Sequence, residues 1–113
     1  MNKEFIPFEQ SKILKHDLDY SGESLGWFTI NKELNFGKDV RPYEDFNFMY
    51  PAPTFSQAFR WFREKHNLMM HIQRHSNDKY LVCMGIQVEI LCETYEEAEL
   101  ACLKKLIEIV KNK

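Results

Sequence analysis

From Tyr80 to Cys92 every even position is apolar: Tyr80, Val82, Met84, Ile86, Val88, Ile90 and Cys92. Alternation of this kind puts one set of side chains on a single face of an extended chain. The run is long for one strand and contains Gly85, so it reads as two strands turning at Met84-Gly85, with one bent strand as the alternative. Upstream, Leu68, Met70 and Ile72 alternate with Met69, His71 and Gln73 as a further strand, closed by the turn residues Ser76-Asn77-Asp78. On either side the period becomes helical. Phe55, Ala58, Phe59 and Phe62 form the core face of a helix from Thr54 to about His66, with Trp61 on its flank and Ser56, Arg60, Arg63 and Glu64 toward water. Thr54 and Gln57 make a capping box at its start, and Asn67 suits the left-handed residue that ends it. A second box, Thr94 with Glu97, opens a helix running to about Asn112. Its acids come first and its bases last, as the helix dipole favours. Its apolar set is wide (Tyr95, Ala98, Ala101, Cys102, Leu103, Leu106, Ile107, Ile109, Val110), so it needs cover on more than one side.

The N-terminal half is less regular. Pro7 suits the first position of a helix, Glu9 follows in its first turn, and Ile13, Leu14 and Leu18 give a short stripe that Asp19-Tyr20-Ser21-Gly22 breaks. Leu25 to Ile30 has strand composition, Asn31-Lys32-Glu33 is a turn, and Leu34 to Phe36 is the return strand. Gly37 to Pro53 reads as a long irregular strap in which Phe46, Phe48 and Tyr50 share a face if extended. The pattern thus predicts an α+β fold. An N-terminal helix and β-hairpin are followed by a helix, antiparallel strands and a long C-terminal helix packed on one sheet. One domain, 1–113, is expected, with 1–50 and 51–113 as its two parts.

Composition adds few constraints. With 44% hydrophobic and 28% charged residues the chain is an ordinary globular one, rich in rings (nine Phe). No stretch approaches the roughly 20 apolar residues of a membrane span, and Met1-Asn2-Lys3-Glu4 lacks the apolar core of a signal peptide, so a cytosolic location without membrane partners is expected. Cys83, Cys92 and Cys102 lie in apolar segments without a C-x-x-C spacing, which predicts reduced, buried thiols.

Phe5-Ile6-Pro7-Phe8-Glu9-Gln10, the stretch Ala52-Pro53-Thr54-Phe55 through Trp61-Phe62-Arg63-Glu64-Lys65, and Thr94-Tyr95-Glu96-Glu97-Ala98-Glu99 through Leu103-Lys104-Lys105-Leu106-Ile107-Glu108-Ile109-Val110 resemble a family of short proteins of bacterial prophages and mobile elements. The resemblance spans most of the chain. It implies a small intracellular accessory protein and assigns no catalytic or binding residue. The order helix, strand, strand, strand, helix from Pro51 to Lys113 also resembles the double-stranded-RNA-binding domain, which docks on phosphates through lysines at the start of its last helix. Glu96, Glu97 and Glu99 stand in that place here and would repel phosphate.

Charge is uneven. Residues 1–50 carry six Lys or Arg against nine Asp or Glu, residues 51–79 five against two, and residues 80–113 four against six. The middle segment is a basic island in which Arg60, Arg63, Arg74 and Lys79 would form the face for an anionic partner such as nucleic acid. Other chemistry is sparse. His71 and His75 would stand about 13 Å apart on a strand, too far to share an ion, so they and His66 read as rim residues, and no metal or cofactor is expected. The isolated glycines cradle no phosphate, and a Cys–His nucleophile is not expected because all three cysteines lie on predicted apolar faces. The expected function is therefore non-enzymatic: a protein-interaction module, with a nucleic-acid-associated role as the alternative. Leu103, Ile107 and Val110 on the last helix are the expected association face, for a homodimer or a protein partner.

Overall fold

The structure, a computed structural model, describes residues 4–29, 31–36, 49–75, 78–84 and 88–112. It is α+β, as the pattern predicts, and the elements run α1 (Phe8–His16), β1 (Gly26–Thr29), β2 (Leu34–Phe36), β3 (Met49–Ala52), α2 (Phe55–His66), β4 (His71–His75), β5 (Lys79–Met84), β6 (Val88–Cys92) and α3 (Tyr95–Lys111). They fall into two compact units, Met1–Trp61 and Phe62–Lys113, whose boundary lies within α2. Each unit has its own three-stranded antiparallel sheet, in the orders β2-β1-β3 and β4-β5-β6.

In the first unit the expected hairpin gains a third strand from the end of the strap. Tyr50 pairs with Phe28 and Pro51 with Trp27. Tyr43, Phe46 and Phe48 lie outside the described residues. Proline is tolerated in β3 because the strand is at the sheet edge, where a missing N–H costs no ladder bond. The freed edge is used locally: the Pro51 carbonyl accepts the hydroxyl of fully buried Ser11 at 2.6 Å, and the Pro53 carbonyl accepts the Ile6 N–H at 3.1 Å. Phe5, Phe28, Tyr50 and Ala52 form the core, and Phe8 meets the Phe28 and Tyr50 rings edge-on at 5.5 and 5.3 Å. Such ring pairs add about 0.5–1.5 kcal/mol each beyond the area they bury. Pro7 caps α1 instead of entering it, because its backbone stays extended (φ −67°, ψ 157°).

Both early helices stop in the same way. Asp19 and Asn67 take left-handed backbone (φ 54° and 55°), and the following N–H, of Tyr20 or Leu68, closes on the carbonyl six residues back, of Leu14 or Phe62. The turn after Asn67 delays β4 to His71, so Leu68 to Met70 are not strand as expected. In α2 the burial order also shifts: Phe55, Ala58, Trp61 and Phe62 are buried while Phe59 is half-buried. Trp61 is covered by the loop after α1. Its indole N–H donates to Ser21 Oγ at 3.0 Å, and the Tyr20 ring lies 4.8 Å away. Gly22 leaves room for this packing, since a Cβ there would sit 2.5 Å from the Tyr20 oxygen and 3.0 Å from Trp61 Cβ and would push the Tyr20 ring aside.

The capping box at α2 forms in full, and the one at α3 forms in its Thr94 half. The Gln57 N–H donates to Thr54 Oγ1 and the Thr54 N–H to Gln57 Oε1, each at 3.1 Å. That same Gln57 oxygen accepts the Leu25 N–H at 3.1 Å, tying the entry to β1 to the start of α2. At α3 the Glu97 N–H donates to Thr94 Oγ1 at 3.1 Å, but the Glu97 carboxylate reaches one residue further back, to the Glu93 N–H at 3.2 Å. Thr54→Ala and Thr94→Ala should each lower unfolding free energy by about 1 kcal/mol. Gln57→Ala should cost more than Thr94→Ala, because two N–H groups lose their acceptor. Urea titration of the three variants checks the order.

Candidate functional site

The second unit presents the surface with the clearest chemical character. β5 and β6 pair from Tyr80↔Cys92 to Met84↔Val88, and β4 and β5 from His71↔Cys83 to His75↔Lys79. These registers send Tyr80, Val82, Met84 and Ile90 to one face, against α3. Val82, Met84, Ala98, Cys102, Leu103, Leu106 and Ile107 are buried.

The opposite face carries three rows running across the strands: His71, Cys83, Glu89; Gln73, Leu81, Leu91; and His75, Lys79 with Glu93, the residue after β6. Leu91 is 51% exposed and pairs directly with half-buried Leu81. The histidines, Gln73, Glu89 and Glu93 are all exposed, whereas Cys83 on the central strand is buried. Two polar contacts order the rows: His71 Nε2 lies 3.3 Å from Gln73 Oε1, and Lys79 Nζ lies 3.5 Å from Glu93 Oε1. A half-exposed leucine pair on the middle row, with polar groups of both signs in the rows above and below it, has the character of a protein-contact patch.

The residues singled out in the sequence fare differently. Arg60 and Arg63 are exposed on α2, and an Arg63 guanidinium N–H lies 3.8 Å from Met70 Sδ. Arg74 bonds Asp78 at 2.6 Å, and this hydrogen bond, then the Asp78 charge, hold its proton more firmly than usual. Register places Arg74 opposite Tyr80 and Lys79 opposite His75, so the two cations belong to opposite faces of one sheet. With Asp78 and Glu93 beside them, they do not build one continuous positive face. The expected association face needs a correction. Leu103 and Ile107 are buried (0% and 5% exposed) and Val110 is half-buried, because the broad apolar band of α3 is covered within the chain. What the sequence reading missed is the pair Leu81 and Leu91. Its signal was present: they are the two large apolar residues at odd positions in an even-apolar run.

Reactive groups are muted. Burial, then Glu99, pushes the Cys102 thiol up to about 12, and burial, then Glu97, raises Cys92. Neither is an activated nucleophile, since the thiolate is the reactive form. Among the described residues no three His, Cys, Asp or Glu side chains come together to hold a metal. In the first unit Lys15, Asp19, Tyr20 and Trp27 line a cavity of about 110 Å³, well under the roughly 300–1,000 Å³ of small-molecule sites. Tyr20 donates its hydroxyl to the Glu23 carbonyl at 2.7 Å, and burial, then Glu23, raises its pKa, so it stays protonated.

Compared with protein-family models, curated proteins and solved structures, the chain matches none. The site therefore rests on its own geometry.

Glu99 yields a prediction about stability. Burial, then Glu96, raises its pKa, so the folded chain holds the Glu99 proton more tightly than the unfolded chain. The ionised carboxylate therefore costs stability above the ordinary carboxylate range and nothing below it. Glu99→Gln should raise Tm at pH 7, and the gain should fade as pH falls below that range. Thermal melts of both proteins across pH check this.

Proposed function

We propose that the protein is a non-enzymatic protein-interaction module whose contact surface is the outer face of the β4-β5-β6 sheet. The observation that carries this reading is the registered pair Leu81–Leu91 on the middle row of that face, running from the central strand to the β6 edge, with Leu91 half-exposed between Glu89 and Glu93. Removing such side chains from water is worth roughly 1.5–3 kcal/mol each when burial is complete. The resemblance to short prophage and mobile-element proteins supports an accessory role of this kind. A nucleic-acid role through the basic segment is the weaker alternative, because Arg74 and Lys79 each have a carboxylate beside them.

The test is a change in the leucine pair that spares the fold. Leu91→Asp should leave the far-UV spectrum and Tm close to those of the parent. It should abolish complexes that the parent forms in extracts of its host and that run at defined stoichiometry in gel filtration. Complexes unchanged by Leu91→Asp would overturn the reading. Single- or double-stranded nucleic acid should bind no more tightly than the non-specific range of about 10⁻⁴ to 10⁻⁶ M at physiological salt. Salt-resistant nanomolar binding would replace the reading with the alternative.

A further inference from the structure

We infer that the first unit carries a binding stripe for linked phosphate groups, formed by Lys12, Lys15 and Lys32 around the rings of Phe8 and Tyr50. It is separate from the β4-β5-β6 face and does not depend on the interaction reading. Residues 1–50 hold more acids than bases, yet the lysines among their described positions all come to one place. Lys12 Nζ lies 5.6 Å and Lys32 Nζ 5.8 Å from the Phe8 ring centroid, and Lys15 Nζ lies 4.9 Å from that of Tyr50. The two rings meet edge-on, 5.3 Å apart.

Two elements deliver these side chains. On α1, Phe8, Lys12 and Lys15 follow at i, i+4 and i+7 and so share one stripe; Glu9 falls off it, and Asp17 and Asp19 lie beyond the helix end. Lys32 comes from the connection between β1 and β2. Its N–H donates to the Thr29 carbonyl and the Thr29 N–H to the Glu33 carbonyl, each at 2.9 Å. There Lys32 holds left-handed backbone (φ 68°), where Gly or Asn is the usual residue. The fold keeps a lysine over Phe8 at a position that disfavours lysine.

The surroundings leave the charge of the stripe in place. Arg74, Lys79 and Lys105 each lie beside a carboxylate, of Asp78, Glu93 and Glu108. Among the described residues Lys12 and Lys32 rest on a ring instead. A ring quadrupole attracts an ammonium without neutralising it. The two ammonium groups on Phe8 are at most about 11 Å apart, close to a Debye length in 0.1 M salt, so an anion feels them together. Burial makes Lys15 release its proton more readily than a free lysine, and an anion beside it opposes that. All three cations are lysines, point charges without the planar fork by which arginine grips a carboxylate. Closely spaced negative charges on several oxygens suit them, and linked phosphates have these. The source is a free polyphosphate or the backbone of a single strand.

The experiment follows the backbone amide resonances of the full chain in about 50 mM salt. The probes are sodium tripolyphosphate and, separately, a thymidine oligonucleotide of about 20 residues. Each should shift the amides of α1 and of Thr29 to Glu33, with affinity inside the non-specific range given above. Whichever binds more tightly names the source of the phosphate. Lys12→Gln/Lys15→Gln/Lys32→Gln should weaken binding roughly tenfold or more. Lys104→Gln/Lys105→Gln/Lys111→Gln, which changes net charge equally on α3, should leave it nearly unchanged. Three phosphate contacts on a strand give a salt slope near −2, so going from about 50 to 200 mM salt should weaken the oligonucleotide roughly 20-fold in the parent and far less in the stripe variant. The stems of Lys12 and Lys15 lie against rings, so circular dichroism and Tm check the fold of each variant. Lys32→Gln alone changes an exposed residue and should still weaken binding measurably. The inference is lost if neither probe shifts any amide by about 10 mM, if the shifts fall only in the second unit, or if the stripe variant binds like the parent. Polyglutamate of matched charge binding as tightly as the phosphates would also sink it. Leu91→Asp should leave phosphate binding unchanged, so this inference and the interaction reading fail separately.

Discussion

The pairing register of β5 and β6 is the constraint on which the second unit depends. Tyr80 opposes Cys92 and Met84 opposes Val88, so even positions meet even positions across the two strands. A register shifted by one residue would send half of the apolar set to the wrong side of the sheet. With the observed register, Val82 and Met84 lie buried on the α3 side and the charged and polar residues gather on the other. The inner core and the outer patch are thus two consequences of one set of backbone hydrogen bonds.

The first unit rests on a different economy. Its sheet is small, and β3 contains a proline, so regular pairing covers little of its edge. Side chains and loop backbone make up the difference: Ser11 on the Pro51 carbonyl, Ile6 on the Pro53 carbonyl, and Gln57 accepting from both Thr54 and Leu25. A buried backbone polar group without a partner is costly. These contacts give backbone groups at the sheet edge and the start of α2 their partners, and the Pro51 carbonyl explains how the hydroxyl of Ser11 can be fully buried.

The candidate surface was only half legible. The cations were visible as a cluster in the sequence, yet Arg74 and Lys79 separate because adjacent positions along paired strands alternate between faces. Leu103 and Ile107 looked like an uncovered strip because a helix wheel shows how wide an apolar band is, not what covers it. Leu81 and Leu91 stood out as exceptions to the alternation. That they sit directly across from each other follows only from the register.

What the sequence determined by itself was local: the Thr54–Gln57 capping box, the Thr94 N-cap, the left-handed end at Asn67, the hairpin of the first unit, the alternating strands and the α+β class. Each is set by interactions spanning a few residues, which side-chain type and spacing encode. Whether Tyr80 to Cys92 is one strand or two was not encoded in its alternation, because an odd connection between the two strands preserves parity and the same pattern serves both. Tertiary structure decided that question. It also decided the third strand Met49–Ala52, the burial of Trp61 by the loop after α1, and the face on which each charge ends. These outcomes depend on partners 20 to 40 residues away, such as Tyr50 with Phe28 or Trp61 with Ser21. No short window of sequence contains both members of such a pair.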